Sequence, residues 1–215
     1  MQSRLTKSDH IYLSLKEKII AYEFSQGKRI YIGPLAEQFG VSTTPVRESL
    51  HRLAAEGLVV RAQQKGFFAM TLCEKNVREQ YEVTRQILCD SLDRLSPAEQ
   101  DRMQGFEPLA AVSTRIGRHG GRSDAGTLAA LTGNLFASIA SFTNKSYVEL
   151  SIDRANDHLY YVRTLECRRL EHVPSELSCL CELFQKAEIG ELVAAIGDYH
   201  DRRLELLPSL LTDRS

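Results

Sequence analysis

Apolar residues recur at helical spacing along most of the first seventy positions, give way to a short stretch of strand-like runs, and beyond residue 73 follow helical spacing almost throughout. Ile11, Leu15 and Ile19, flanked by Tyr12 and Ile20, form a stripe that runs out near Phe24 and the Ser-Gln-Gly at 25–27, which predicts a first helix. Gly33-Pro34 opens a short second helix, since proline is tolerated in a first turn; Leu35, Ala36 and Phe39 face inward and Gly40 ends it. Ser42, Thr43 and Thr44 offer hydroxyl N-caps to a third helix, whose apolar positions Val46, Leu50, Leu53 and Ala54 recur at i, i+4, i+7 and i+8 until Gly57 stops it. Two β-prone runs, LVVRA and FFAMTL, flank Gln63, Gln64, Lys65 and Gly66, which predicts a hairpin with a polar, basic tip. The pattern as a whole predicts a mainly α protein: a winged helix-turn-helix over residues 1–73 and an all-α helical bundle over residues 74–215.

In the second segment, Val77, Tyr81, Leu88, Leu92 and Leu95 share a stripe, and Arg85 falls on it. A guanidinium facing a core needs an anion or several acceptors, because an unpaired buried charge is very costly. Either an internal Asp or Glu supplies that anion, or Arg85 receives the carboxylate of a small organic acid together with Asn134. His200 lies on the stripe of Val193, Ile196, Leu204, Leu207 and Leu211, and His158 lies in a long helix predicted from about Ser146 to Leu170, with Arg154 and Tyr161 on its face. A lone histidine on an apolar face is more often a hydrogen-bonded core residue than a ligand. Arg85, Asn134, His158 and His200 are the candidate effector-binding residues.

The net charge of −1 hides an asymmetry: residues 1–73 hold 10 Lys and Arg against 6 Asp and Glu, so the remainder is acidic. A basic head and an acidic body suit a protein that touches phosphate with one end. If Val46, Leu50 and Leu53 face the core, the opposite face of the third helix presents Thr43, Thr44, Arg47 and His51, with Arg52 at its edge. That helix N-terminus suits phosphate, Arg47 is long enough to fork onto a guanine edge, and Gln64 and Lys65 on the wing reach backbone or minor groove. Charged helix faces are usually just solvated, and the charges alone would be weak; the tight turn and the hairpin make double-stranded DNA the expected partner.

Other classes fare worse. The chain has no Gly-rich phosphate loop, no G-x-S-x-G and no H-E-x-x-H, so no catalytic residues are assigned and no enzyme is expected. Five scattered cysteines do not read as a disulfide framework. The start, MQSRLTKSDH, lacks the apolar core of a secretory signal, and polar residues interrupt the stretch Leu128–Phe142, which points to the cytoplasm and away from a membrane.

The segment PLAEQFGVSTTPVRESLHRLAAEGLVVRAQQKGFFA, Pro34 to Ala69, resembles the DNA-binding domain of the GntR family of bacterial regulators. Family members usually carry Arg where this chain has Thr43, and often a basic residue where it has Gly33; Arg47, Arg52 and Lys65 remain. The body resembles, more loosely, the helical C-terminal (FCD-type) domain of the FadR-like branch. That resemblance implies a metal site of one Asp and three His, but this chain reads LTGNLFAS at Leu131–Ser138, lacks the middle histidine around Ser178 and keeps only His200. One imidazole does not hold a divalent ion selectively, so no metal and no cofactor are expected.

A single recognition helix buries too little surface for sequence specificity, which predicts a homodimer reading an inverted repeat spaced by about one turn, roughly 34 Å. The resulting expectation is a transcriptional repressor controlled by a small-molecule effector. The rival is a protein-interaction module with vestigial DNA binding.

Overall fold

The computed structural model describes residues 6–119 and 124–212; residues 1–5, half of the polar start, lie outside them. Two compact units, residues 1–73 and 74–215, make up the chain.

In the first unit, helix α1 (Lys7–Ile20) begins at a capping box. The Thr6 hydroxyl accepts from the Asp9 N–H at 3.2 Å, and the Asp9 carboxylate accepts from the Thr6 N–H at 3.0 Å. Helix α2 (Ile32–Phe39) ends at Gly40, whose φ of 63° is the left-handed conformation that glycine adopts without strain. Helix α3 (Thr43–Ala55) starts after Ser42, which holds the N-cap position but makes no side-chain cap hydrogen bond. Ile11, Tyr12, Leu15 and Ile19 of α1 and Val46, Leu50 and Leu53 of α3 are buried, as their spacing predicts.

The wing is a three-stranded antiparallel sheet of order β1-β3-β2, with β1 at Arg29–Ile30, β2 at Val59–Ala62 and β3 at Gly66–Ala69. Hydrophobic pattern predicts only β2 and β3; a strand of two residues is too short to alternate visibly. The register sets Arg29 opposite Phe68, and Arg61 opposite Phe67. Ile30, Leu58, Val59, Phe67 and Ala69 complete the core of this unit.

The second unit is helical: α4 (Glu74–Asp93), α5 (Pro97–Gln100), α6 (Glu107–His119), α7 (Ala125–Phe142), α8 (Ser146–Arg169), α9 (Val173–Gln185) and α10 (Ile189–Thr212). Helix α7 is apolar on nearly every side, with Leu128, Leu131, Leu135, Phe136 and Ile139 among its buried residues. Its 18 residues and mean hydropathy of 1.3 would by length and composition cross a bilayer, so polar interruption does not by itself exclude a span. In this fold α7 is instead the central helix, packed against α8, α6 and α9. Its buried hydroxyls are satisfied within the helix: Thr132 donates to the Leu128 carbonyl at 2.9 Å and Ser138 to that of Asn134 at 2.8 Å.

Candidate nucleic-acid interface and a buried charged cluster

On α3, the buried positions 46, 50 and 53 leave Thr43, Thr44, Arg47 and His51 exposed on the other side. The first N–H groups of a helix have no intrahelical acceptor, and the Ser42 hydroxyl supplies none here. His51 packs edge-on against Phe67 of β3, with ring centroids 4.9 Å apart, and so ties this face to the wing. Gln64 (φ 60°) and Lys65 form the exposed hairpin tip. Arg47, His51 and Gln64 line one groove. Arg29, Tyr31 and Arg61 line it too; none was visible in the sequence, because only the pairing of β1 with β3 brings the first two there.

Arg52 is oriented differently. Its guanidinium lies 3.9 Å from the centroid of the Tyr12 ring and pairs with Asp9 at 3.3 Å. Tyr12 in turn donates to the Glu56 carboxylate at 2.7 Å, while burial and that carboxylate push its phenol above the ordinary value. Arg52 thus braces α3 against α1.

The candidate effector residues do not form one cluster: Arg85 lies near enough to His200 to bear on its charge, while Asn134 lies in a groove that neither lines. Arg85 is not buried on the α4 stripe: Thr84 takes that place, the Arg85 side chain is 42% exposed, and Asp201 of α10 is its hydrogen-bonded partner. Of the two anions open to Arg85, the internal one is present. Asn134 is exposed, in a surface groove with Arg115, Glu149 and Asp153. His158 is half-buried on α8. Only His200 lies in the core, fully buried.

Around His200 is a charged cluster that the sequence reading missed. Arg163 and Glu166 on α8 and Arg203 on α10 are all buried. They occupy the α8 stripe of Val148, Ile152, Ala155, Leu159 and Val162 and the α10 stripe of Ile196 and Leu207, so the test applied to Arg85 finds them once the helix phase is right. The Tyr81 hydroxyl donates to Glu166 at 2.6 Å, and Arg203 forks onto Glu176. Burial raises the Glu166 carboxyl against the pull of Tyr81, Arg203 and Arg163.

His200 Nδ1 sits 2.7 Å from the Ile196 carbonyl. A carbonyl only accepts, so Nδ1 carries the proton and Nε2 presents a lone pair. Burial, with Arg163, Arg203 and Arg85 nearby, lowers the pKa from 6.5 to about 3, so the ring is neutral at pH 7. Arg163 Nη1 donates to Asn156 at 2.7 Å, but its Nε and Nη2, one edge of the guanidinium, have no hydrogen-bond partner, and neither has His200 Nε2. Among the described residues no three His, Cys, Asp or Glu side chains gather as a metal site. The rings of Tyr81, Phe136 and Tyr199 pack on His200 and the charges that bear on it are those of Arg163, Arg203 and Arg85, which does not fit the divalent ion that the family resemblance implies.

The model of the family described as "Bacterial regulatory proteins, gntR family" matches residues 7–69. The Nta operon transcriptional regulator of Aminobacter aminovorans is 42% identical over 77 residues, which span 36% of this chain and 36% of that one. The uncharacterized HTH-type transcriptional regulator YdhC of Bacillus subtilis (strain 168) is 26% identical over 157 residues, 72% of this chain and 68% of that one. The crystal structure of a GntR transcriptional regulator from Rhodococcus sp. RHA1 shares the fold, with a TM-score of 0.77 at 15% identity over 97% of this chain and 99% of that one. The segment that matches is the winged helix-turn-helix, so residues 7–69 form a DNA-binding domain of the GntR type, and the chain as a whole shares the fold of that solved regulator.

Proposed function

We propose that the protein is a cytoplasmic repressor that binds an inverted-repeat operator as a homodimer and responds to a small organic acid held inside its helical unit. For the DNA half, the supporting feature is the exposed row Thr43, Thr44, Arg47 and His51 beside the wing tip of Gln64 and Lys65. Arg47 is the base-reading residue, because it makes no ion pair among the described residues and projects from the first turns of α3. A dimer seated on its operator represses by occupancy, which requires no contact with the polymerase. Pairing of two chains is supported by Tyr147 and Leu150 of α8, one turn apart and 64% and 55% exposed.

For the effector half, the observation that carries the reading is the unpartnered Nε–Nη2 edge of buried Arg163. That edge is the fork onto which a carboxylate docks with two parallel hydrogen bonds. A buried guanidinium with two unmet donors is costly, and an arriving carboxylate relieves that cost. The lone pair on His200 Nε2 accepts a hydrogen bond, so the fitting effector carries a hydroxyl or N–H beside its carboxylate. This site takes the place of the one formed by Arg85 and Asn134, and His158 lies on the same helix as Arg163.

The test is a titration of the purified protein into labelled DNA from its own upstream region and into an unrelated duplex, with Arg47→Ala alongside. Selective binding that the variant loses supports the operator reading; weak, equal binding untouched by the variant overturns it in favour of a protein-interaction role. A screen of small hydroxy and amino acids, read by thermal shift, tests the effector site. An acid that stabilises the protein but not Arg163→Met, and that binds the free and operator-bound dimer unequally, supports ligand control. Equal affinity for the two forms excludes the acid as the switch.

A further inference from the structure

We infer that Arg29 of β1 and Arg61 of β2 grip the DNA backbone in the groove between α3 and the wing, supplying phosphate contacts that the family's usual positions do not supply in this chain. The inference rests on the DNA-binding reading above and adds to it the residues that anchor the duplex.

The groove, about 370 Å³ and open to solvent, is lined by Arg29, Arg47 and Arg61 together with Tyr31, His51 and Gln64. No carboxylate lines it. None of the three arginines makes an ion pair among the described residues, whereas Arg52, two turns along from Thr44 on the same helix, is paired with Asp9. Three cations gathered on one concave face without an acidic partner repel one another, and the arrangement is relieved by an anion from outside.

The sheet directs Arg29 there. Its Cβ starts on the side of Phe68, and its guanidinium lies on that side against Gly66, two residues before Phe68, where a Cβ would sit 3.4 Å from Nε and 3.5 Å from Nη2. Gly66 has φ 98°, which the hairpin needs, and its bare Cα leaves room for the arginine beside the wing tip. Tyr31, 63% exposed, holds the guanidinium 5.6 Å from its ring centroid. Arg29 is therefore poised beside the wing without being neutralised. Thr43 and Gly33 stand where the family resemblance implies basic residues, so anchoring from α2 and the start of α3 is reduced, and β1 and β2 are the elements that restore it.

Phosphate contacts and base contacts differ in what they do to binding. A phosphate contact contributes about 0.9 to the slope of log affinity against log salt, whatever the sequence. The experiment uses the full chain with Arg29→Gln and Arg61→Gln, each titrated into the upstream duplex and an unrelated duplex of equal length between 50 and 200 mM salt, with thermal melting as the check on folding. Each variant is expected to flatten the slope by about 0.9 on both duplexes, which shrinks the affinity loss across that salt range about 3.5-fold. Arg29→Lys and Arg61→Lys restore the slope. Unchanged slopes in folded Gln variants overturn the inference while leaving the regulator intact. An effect confined to the upstream duplex also overturns it, because the arginines would then be reading bases. If the unaltered protein binds neither duplex, the DNA-binding reading fails and this inference with it.

Discussion

A guanidinium stacked on Tyr12 and paired with Asp9 has little freedom to follow a DNA surface, which separates Arg52 from Arg47 although both belong to α3. Arg52→Ala is expected to lower the melting temperature by an amount worth no more than about 1 kcal/mol and to leave the preference for the operator over an unrelated duplex alone; Arg47→Ala should do the reverse. Calorimetry and a binding titration on the two variants check this. Arg163→Met is expected to leave the ligand-free protein as stable or more so, by up to about 4 kcal/mol, since it replaces a buried, partly unmet cation with an apolar chain of similar length. Urea unfolding reads that out. His200 contributes a pH dependence of known sign. Its pKa is about 3 folded and 6.5 ordinarily, so between those values the unfolded chain binds the extra proton. Its contribution to stability is complete above pH 6.5 and declines as pH falls toward 3, by at most about 1.4 kcal/mol per unit. Denaturant midpoints at pH 5 and pH 7 should differ less in His200→Leu. At this scale the sequence was legible for His200 and Arg47, whose stripes were assigned the right phase. It was not for Arg85 and Arg163: Thr84 and Arg85 both lie within helical reach of Tyr81 and Leu88, and pattern does not decide which of two adjacent residues turns inward.

The tight turn between α2 and α3 depends on Gly40. Nothing lies within 4 Å of where its Cβ would be, so any penalty at this position comes from the backbone at φ 63° and not from crowding. Gly40→Ala is accordingly expected to cost about 1–2 kcal/mol, and Gly40→Asn less, both measurable by chemical denaturation. Leu50, fully buried in α3, gives a larger effect: Leu50→Ala should cost about 2–5 kcal/mol. Helices α1 to α3 and the β2–β3 hairpin were readable because each carries a stripe and a punctuating Gly, Ser or Thr. Strand β1 was not, for it exists only by its pairing to β3, and a contact between positions 29 and 68 leaves no periodic trace. With β1 went Arg29 and Tyr31, one of the three arginines and one of the aromatic rings that line the groove.

For the whole molecule, the basic head and acidic body restrict phosphate to one unit, and the proposed dimer supplies two such heads. Tyr147→Arg combined with Leu150→Arg is expected to give a monomer by light scattering and to weaken operator binding at least tenfold, about 1.4 kcal/mol. A double variant that stays dimeric would remove this face from the interface. The central position of α7 also matters during biosynthesis. Helix α6 and the elements before it are made first, but α8 and α9, which cover much of α7, are encoded after Phe142. At about 5–20 residues per second, the remaining stretch to Thr212 takes roughly 4–14 s to make. For that interval the ribosome carries a helix with the hydropathy of a membrane span and part of its covering still unmade, so the nascent chain is itself a client for whatever shields apolar segments as they emerge.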